Sequence, residues 1–384
     1  MGSVVGEVNR APLVQSPKFR VGESAVSGLV PKHIITPRAP TQPCDNNTNL
    51  PHVKMVDKIT PNDSRAQYKT ADLNGVTYSY ILAEPPGKAR DTIFLVHGWP
   101  DLSFGWRYQI PHLVSLGLRV VVPDMMGYGG TDAPPSLTFY TYKRAADDLA
   151  TLAQQLGLSR IILGGHDWGG AVVYRFALHY PTLIKAVISV CTPFMAPRKE
   201  FLDATVLPNF KYQLHLRGPE VEAEIVGEAK LRQFLHAMYG GRTPDNEPAF
   251  STAHGVYFDV LPRISPSPLL SQEEMDFYVK RHALKGLHGP LNWYRTQELN
   301  FEDEKALAET MEGFKFDMPT LFIAGTRDGA LPPAMSQGMD KWFRSLTRGE
   351  VNASHWALWE KPAEVNRYIE EFLSGQISAE KASL

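Results

Sequence analysis

The densest chemical signal in the sequence is the run Gly164-Gly165-His166-Asp167-Trp168-Gly169-Gly170. It has the pattern Gly-x-Ser-x-Gly with Asp in place of the Ser, and that pattern places a nucleophile on a sharp turn between a strand and a helix. The turn leaves room only for small residues, and the helix N-terminus favours an anion. Taken alone, the run is also compatible with a glycine-rich turn in which Asp167 caps a helix. A phosphate-binding loop is disfavoured because the pattern Gly-x-x-x-x-Gly-Lys-Ser/Thr is absent.

Three further segments contain the groups that a nucleophilic carboxylate would need. His97-Gly98-Trp99-Pro100 follows an apolar run, where the backbone N–H of Trp99 would bind an oxyanion together with the N–H of Trp168. Asp328 follows another apolar run, and His355 lies in a later loop. The order nucleophile, acid, histidine is typical of catalytic triads built on such a turn. Each residue alone has an ordinary structural explanation, but together they predict Asp167 as nucleophile, His355 as general base and Asp328 as the acid that orients it.

The choice of Asp over Ser narrows the reaction. A serine that opened an epoxide would form an ether, which a histidine-activated water cannot cleave, whereas a carboxylate forms an ester, which it can. Asp167 therefore indicates attack on a saturated carbon that bears an oxygen or halide leaving group. With an ordinary pKa of about 3.9 the carboxylate is ionised at neutral pH and needs no base for this first step.

Short apolar runs and helical patterns alternate through much of the chain and must position these residues. Helical spacing predicts helices after Thr141, over Gly169–Tyr180, and near the end of the chain, where Val365 and Phe372 share one face. The predicted strands are Thr92–Val96, Arg119–Pro123, Ile161–Leu163, Lys185–Val190 and Thr320–Gly325. Alternation of this kind predicts an α/β fold with a mostly parallel sheet and helices on both faces.

The strand rhythm stops after Thr192 and returns near residue 320, which predicts a helical insertion in the core. The first part of the chain is rich in Pro, Ser, Asn and Thr and predicts an extended or disordered arm. The predicted segments are an N-terminal extension at 1–51, core at 52–193, a helical lid at 194–316, core at 317–375 and a C-terminal tail at 376–384.

Composition excludes several classes of protein. The 384 residues include 39 Lys and Arg against 41 Asp and Glu, so a nucleic-acid partner is not expected. No apolar stretch is long enough to span a membrane. Two cysteines are too few for a disulfide scaffold or a structural zinc site, and no apolar leader opens the sequence. We expect a cytoplasmic enzyme, monomeric or homodimeric. A peroxisomal location has little support, since the chain ends Ala-Ser-Leu without the basic residue of that address.

The combined motifs resemble those of the epoxide hydrolases of the α/β-hydrolase superfamily, in their soluble fungal and mammalian form. The resemblance spans roughly residues 52–375 and includes two lid segments besides the catalytic set. The matching motifs are His97-Gly98-Trp99-Pro100, Gly127-Tyr128-Gly129-Gly130-Thr131, Gly165 to Gly170, Asp328, His355, Tyr212-Gln213-Leu214 and Asn292-Trp293-Tyr294-Arg295. One departure is Met125-Met126, where a basic residue usually precedes Gly-Tyr-Gly.

This resemblance implies an α/β-hydrolase fold and an activity that converts epoxides to vicinal diols. It implies a cis peptide before Pro100 and two lid tyrosines, Tyr212 and Tyr294, that hold the epoxide oxygen and supply its proton. Neither a cofactor nor a metal is required, and the partners are water and a small apolar epoxide. An aromatic-rich lid favours a bulky substrate.

Two other functions remain open from the sequence. A haloalkane or haloacid dehalogenase shares the Asp nucleophile, although Trp99 stands where many haloalkane dehalogenases carry Asn. A non-catalytic ligand receptor on the same scaffold is disfavoured by the intact set of Asp167, Asp328 and His355.

Overall fold

The computed structural model describes residues 56–382, with side chains described through residue 375. The predicted arm at 1–51 therefore lies outside the described residues. Within the described residues, no helix combines the length and the hydropathy needed to cross a membrane.

A mixed sheet of eight strands forms the centre of the described chain. The described residues form ten strands, eight of which belong to this sheet: β1 (Gln67–Leu73), β2 (Val76–Ala83), β3 (Asp91–Val96), β4 (Leu118–Pro123), β5 (Ile161–His166), β6 (Ile184–Val190), β7 (Phe250–Ser251), β8 (Gly255–Val256), β9 (Thr320–Gly325) and β10 (Leu346–Val351). Their order in the sheet is β1-β2-β4-β3-β5-β6-β9-β10, and β7 and β8 form a separate hairpin. The pairs β1–β2 and β2–β4 are antiparallel and all others in the large sheet are parallel.

Helices cover both faces of this sheet, so the predicted α/β fold is confirmed. The α-helices are α1 (Gln109–Ser115), α2 (Tyr142–Gln155), α3 (Trp168–His179), α4 (Tyr212–Arg217), α5 (Glu220–Glu224), α6 (Glu228–Met238), α7 (Gln272–Ala283), α8 (His288–Arg295), α9 (Gln297–Glu309), α10 (Ala357–Glu360) and α11 (Pro362–Ala382). Helix α1 packs against α11, and α2 packs against α3. Thr141 is the N-cap of α2, because its Oγ1 accepts a hydrogen bond of 3.2 Å from the Arg144 N–H.

The five predicted strands are all found, one with the expected bounds and the others within three residues of them. Strands β1 and β2 are not predicted. Strand β1 lies at an edge and exposes most of its side chains to solvent, so it lacks an apolar run. Between Asp328 and His355 the sequence leaves room for a helix and a strand. The strand is β10, but two short 3-10 turns, Pro333–Ser336 and Met339–Trp342, take the place of the helix.

The segment 194–316 contains helices α4 to α9 and the hairpin, between strands β6 and β9. That this segment is a lid remains a prediction. Helix α11 continues through residue 382, past the predicted boundary at 375, and the division into core and tail remains a prediction.

The carboxyl ends of the parallel strands meet at one edge of the sheet, where open α/β folds bind ligands. Asp167 follows β5 directly, and the segment from His97 to Pro100 follows β3. Asp328 and His355 follow the neighbouring strands β9 and β10. The topology thus brings four distant segments of the sequence to one place.

Candidate active site

Asp167 lies on the turn between β5 and α3, with φ 56° and ψ −127°. A positive φ is uncommon and strained for a residue with a side chain. The turn is tight, because a Cβ on Gly165 would overlap the Gly169 carbonyl and a Cβ on Gly169 would overlap the Val96 carbonyl of β3. Asp167 occupies the N-cap position of α3, yet in the described chain its side chain accepts no capping hydrogen bond. Its carboxylate is therefore available for contacts across the sheet edge.

The first of these contacts is with the loop after β3. The Trp99 N–H donates a hydrogen bond of 2.7 Å to Asp167 Oδ1. The peptide between Trp99 and Pro100 is cis. His97 holds this loop against the segment after β4. Its Nε2 accepts a hydrogen bond of 2.9 Å from the Met125 N–H, and its Nδ1 donates one of 2.9 Å to the Gly98 carbonyl.

Trp168, the other predicted oxyanion donor, is the first residue of α3. The first N–H groups of a helix have no acceptor in a preceding turn. The Trp168 N–H therefore has the right position in the fold for an oxyanion donor. Its role stays a prediction.

The second contact is with His355. Its Nε2 lies 3.3 Å from Asp167 Oδ2, and its Nδ1 lies 2.8 Å from Asp328 Oδ2. The other oxygen of Asp328 accepts hydrogen bonds of 2.9 Å from the N–H groups of Ala330 and Leu331. Asp328 is thus held in place by its own loop, and it orients the imidazole toward Asp167.

Charge pairing sets the protonation of this group. Burial alone would lower the pKa of His355, but Asp328 and Asp167 outweigh it and raise that pKa well above its ordinary value. Burial alone would raise the pKa of Asp167, but the His355 contact outweighs it and lowers that pKa. The same balance lowers the pKa of Asp328 to about 2. The two carboxylates therefore favour the protonated, positively charged form of His355 in the resting site.

Tyr212 in α4 and Tyr294 in α8 line a cavity with Asp167, and their ring centroids lie 6.0 Å apart. The ring of Tyr294 contacts Trp99 and Trp168 edge-on, at 5.3 and 5.2 Å. Both phenols line the same cavity as Asp167 and His355. Burial, followed by the charge on Asp167, raises the pKa of Tyr212 above its ordinary value, and burial also raises that of Tyr294. Both therefore remain protonated donors.

Two cavities touch Asp167 and Tyr212. One, of about 190 Å³, has a largely apolar lining that includes Phe201, Leu207 and Phe301. The other, of about 290 Å³, is bordered by Phe250, Ser354 and Trp356 among others. Two separate spaces for substrate groups thus reach Asp167.

Sequence reasoning missed the residues that fix the His355 main chain. His166 Nε2 donates to the His355 carbonyl at 2.7 Å, and Cys191 Sγ lies 3.6 Å from the same oxygen. Thr192 Oγ1 donates to the Asp167 carbonyl at 2.8 Å. The position of His166 directly before the nucleophile was the available signal, but the motif leaves that position unspecified.

In the part of the chain that the structure describes, one group of side chains has metal-ligand donors close together. The donor atoms of His166, Cys191 and His355 lie within 4.8 Å of one another. These groups already have structural roles, since both nitrogens of His355 face carboxylates and the other two residues contact its carbonyl. The geometry fits a hydrogen-bonded base better than a metal centre.

Comparison with known proteins agrees with this geometry. Residues 91–362 match the family model described as alpha/beta hydrolase fold. The chain is 42% identical to epoxide hydrolase srdG of Neurospora crassa, over 83% of this chain and 98% of that protein. It is 33% identical to bifunctional epoxide hydrolase 2 of Sus scrofa, of which it covers 61%.

A solved structure is also similar. The crystal structure of epoxide hydrolase A from Mycobacterium thermoresistibile matches with a TM-score of 0.69 and 30% identity. The match covers 81% of this chain and 98% of that one.

Proposed function

The chain belongs to the epoxide hydrolases of the α/β-hydrolase fold family, and we propose that it converts epoxides to vicinal diols through a covalent ester on Asp167. The observation that carries this mechanism is the carboxylate of Asp167 held between the Trp99 N–H and His355. Such an arrangement suits nucleophilic attack followed by hydrolysis of the resulting ester.

In the first half-reaction, Asp167 Oδ2 attacks one epoxide carbon and the bond from that carbon to the ring oxygen breaks. Oδ2 is the attacking oxygen because Oδ1 is already bound by the Trp99 N–H. The ring oxygen gains negative charge and takes a proton from Tyr212 or Tyr294. Both phenols are protonated at neutral pH because burial raises their pKa values.

In the second half-reaction, His355 becomes the base. Once Asp167 is esterified, its negative charge is gone and the pKa of His355 falls, so the imidazolium gives up its proton, which restores the phenol that lost one in the first half-reaction. The imidazole, still oriented by Asp328, then takes a proton from water. The hydroxide adds to the Asp167 carbonyl carbon, and collapse of the intermediate breaks the bond between that carbon and the diol oxygen. The diol oxygen takes the remaining proton of the attacking water, so the diol leaves, Asp167 is again a carboxylate and His355 is again an imidazolium.

The oxyanion formed in this step sits on the Oδ1 side of Asp167. The Trp99 N–H already lies 2.7 Å from that oxygen, and the Trp168 N–H is the proposed second donor. Removing one donor of this kind typically costs about 2.7–4 kcal/mol of barrier. The substrate we propose is a bulky apolar epoxide with a substituent in each of the two cavities.

Turnover of styrene oxide by the purified protein tests the function. We expect phenylethanediol as product, and its loss in Asp167→Ala. A parallel incubation with 1-chlorohexane tests the dehalogenase alternative, because only that activity releases chloride. Chloride release without diol formation, or saturable binding of styrene oxide without turnover, would overturn the proposal.

A further inference from the structure

Three consecutive residues after β3 make three different contacts with the rest of the molecule. The Trp99 N–H donates to the nucleophile Asp167. The Pro100 carbonyl accepts a hydrogen bond of 3.0 Å from the hydroxyl of Tyr239. Asp101 Oδ1 accepts one of 2.7 Å from the hydroxyl of Tyr278. The loop that carries the oxyanion donor is therefore bonded to two tyrosines from the segment 194–316.

Both of these hydrogen bonds are fully enclosed. Tyr239 and Tyr278 have no exposed surface, and Asp101 is 1% exposed. Water does not compete at such positions, so hydrogen bonds there hold their geometry more firmly than at the surface. Asp101 also accepts from the Leu102 N–H at 2.7 Å, and its own N–H donates to the Gly98 carbonyl at 3.0 Å. Asp101 thus links the hydroxyl of Tyr278 to the backbone of the loop that contains Trp99.

Helix α7 fits against this loop along one face. Tyr278 lies between two charged residues of the same helix that also contact the core. Glu274 Oε1 lies 3.1 Å from Nε of the buried Arg107, and Arg281 Nη2 lies 2.5 Å from Asp124 Oδ2. The spacing of these three helix residues places them on one side of α7. Three contacts from one side of α7 therefore hold it against the core, and the contact of Tyr278 is to the loop that contains Trp99.

The end of α6 makes the corresponding link to the base. The Met238 carbonyl accepts a hydrogen bond of 2.9 Å from the indole N–H of Trp356, the residue after His355. The ring of Tyr239 lies 4.9 Å from that of Trp356 and 5.3 Å from that of Tyr278. Residues 238 and 239 thus contact both the loop that contains His355 and the loop from His97 to Asp101, here called the oxyanion loop.

We propose that Tyr239 and Tyr278 are positioning residues that hold the Trp99 N–H in place for hydrolysis of the ester. This inference rests on the proposed function. Neither phenol needs to touch the substrate, because each acts through Pro100 or Asp101. Docking of α6 and α7 then becomes a condition for the second half-reaction.

The two half-reactions depend on the Trp99 N–H in different ways. During attack on the epoxide, Asp167 loses negative charge, so a displaced donor does not slow this step. During ester hydrolysis, Asp167 Oδ1 gains the full charge of an oxyanion, and the donor must be in place. Loosening the loop therefore slows hydrolysis selectively. When only the second step slows, kcat and KM fall together and kcat/KM is unchanged.

The variants Tyr239→Phe and Tyr278→Phe test this with matched controls. Tyr140 donates to the Pro134 carbonyl at 2.8 Å, and Tyr78 donates to Asp148 Oδ2 at 3.0 Å, both from fully buried rings. Tyr140→Phe and Tyr78→Phe thus remove the same kinds of hydrogen bond away from the oxyanion loop. With styrene oxide, we expect kcat to fall about fivefold in each test variant, the loss typical of one hydrogen bond, and KM to fall in parallel. Intact mass during turnover should show more ester adduct than in wild type.

A purely structural role would give a different result. The melting temperatures of all four variants would then fall by similar amounts. Their KM values, and their kcat values per folded enzyme, would match those of wild type. That outcome, or a fall of kcat/KM equal to that of kcat, overturns the positioning role while the proposed function stands, since diol is still formed. Absence of both diol and ester adduct in the wild-type protein would overturn the proposed function itself.

Discussion

The Nε2 atom of His355 lies 3.3 Å from Oδ2 of Asp167. This pair has a charged histidine, because Asp328 on the far side of the ring and Asp167 on the near side together raise the pKa of His355. A protonated histidine cannot take a proton from water. In the proposed mechanism the base is therefore generated during turnover, when esterification removes the charge of Asp167.

This relationship predicts different pH dependences for the two steps. Attack on the epoxide needs an ionised Asp167, whose pKa is lowered, and protonated phenols, whose pKa values are raised. Both conditions hold between about pH 5 and 9, so the rate of ester formation should be flat there. Ester hydrolysis should slow as the pH falls and His355 in the ester becomes protonated. Stopped-flow tryptophan fluorescence at single turnover separates the two rates, and an acid limb in ester formation above pH 5 would contradict the charged pair.

Replacing the base should trap the ester. In His355→Gln the carboxylate can still attack, but no group takes the proton from water, so ester hydrolysis should slow by roughly 10²- to 10⁴-fold. Intact mass after mixing with styrene oxide should show a protein heavier by one substrate, and peptide mapping should locate the adduct at Asp167. His112→Gln is a suitable control, since His112 lies on α1 against Glu370 and outside the site. Full turnover in His355→Gln would show that another group acts as base.

Oxygen exchange provides a further test of the ester. In one turnover in ¹⁸O-water, the diol should carry Asp167 Oδ2 and remain unlabelled, while the Asp167 side chain gains one heavy oxygen. With excess substrate, later diol molecules should carry the label. Label in the diol from the first turnover would mean that water attacks the epoxide directly.

The lid phenols should affect the first step. Hydrogen bonds to a charged oxygen contribute about 1.5–3 kcal/mol, so Tyr212→Phe and Tyr294→Phe should each slow ester formation by roughly 10- to 100-fold. Because burial raises both pKa values above 10, wild-type ester formation should not decline until the pH exceeds the ordinary tyrosine range. Single-turnover rates between pH 7 and 10.5 would measure this. An alkaline limb near pH 9 that vanishes in either variant would show that the phenols are not buried as described.

The sequence predicts those parts of the fold that depend on a short local pattern. Five buried strands are continuous apolar runs, and the turn at Asp167 follows from small residues at Gly165 and Gly169. Strand β1 has no such signal, because the exposed side chains of this edge strand give its sequence no apolar run. Its pairing with β2 depends on the sheet already present.

The lid shows the limit of sequence reasoning more clearly. The residues next to Tyr212 and Tyr294 in the sequence match family motifs and so distinguished these two tyrosines. Tyr239 and Tyr278 have no such motif around them. Their hydroxyls reach Pro100 and Asp101 only after α6 and α7 dock on the core, so their contacts follow from tertiary packing.

A buried ion pair at the first cavity should contribute strongly to stability. Arg175 in α3 donates to both oxygens of Glu304 in α9, at 2.7 and 3.0 Å, and both side chains are at least nine-tenths buried. Glu304→Gln leaves the guanidinium charge enclosed without its partner. Breaking a buried pair in this way typically costs about 3–5 kcal/mol, which urea midpoints would measure.

The same helix offers a matched control for that variant. Lys199 and Glu309 form a 2.8 Å pair whose side chains are 63% and 67% exposed. Water solvates both charges with or without the contact, so Glu309→Gln should leave the urea midpoint unchanged. In the double variant Arg175→Met with Glu304→Leu, no unpaired charge remains, and much of the lost stability should return because apolar side chains can replace a buried pair. Equal midpoints for Glu304→Gln and Glu309→Gln would mean that water reaches Arg175, and that the apolar cavity beside it is open to solvent.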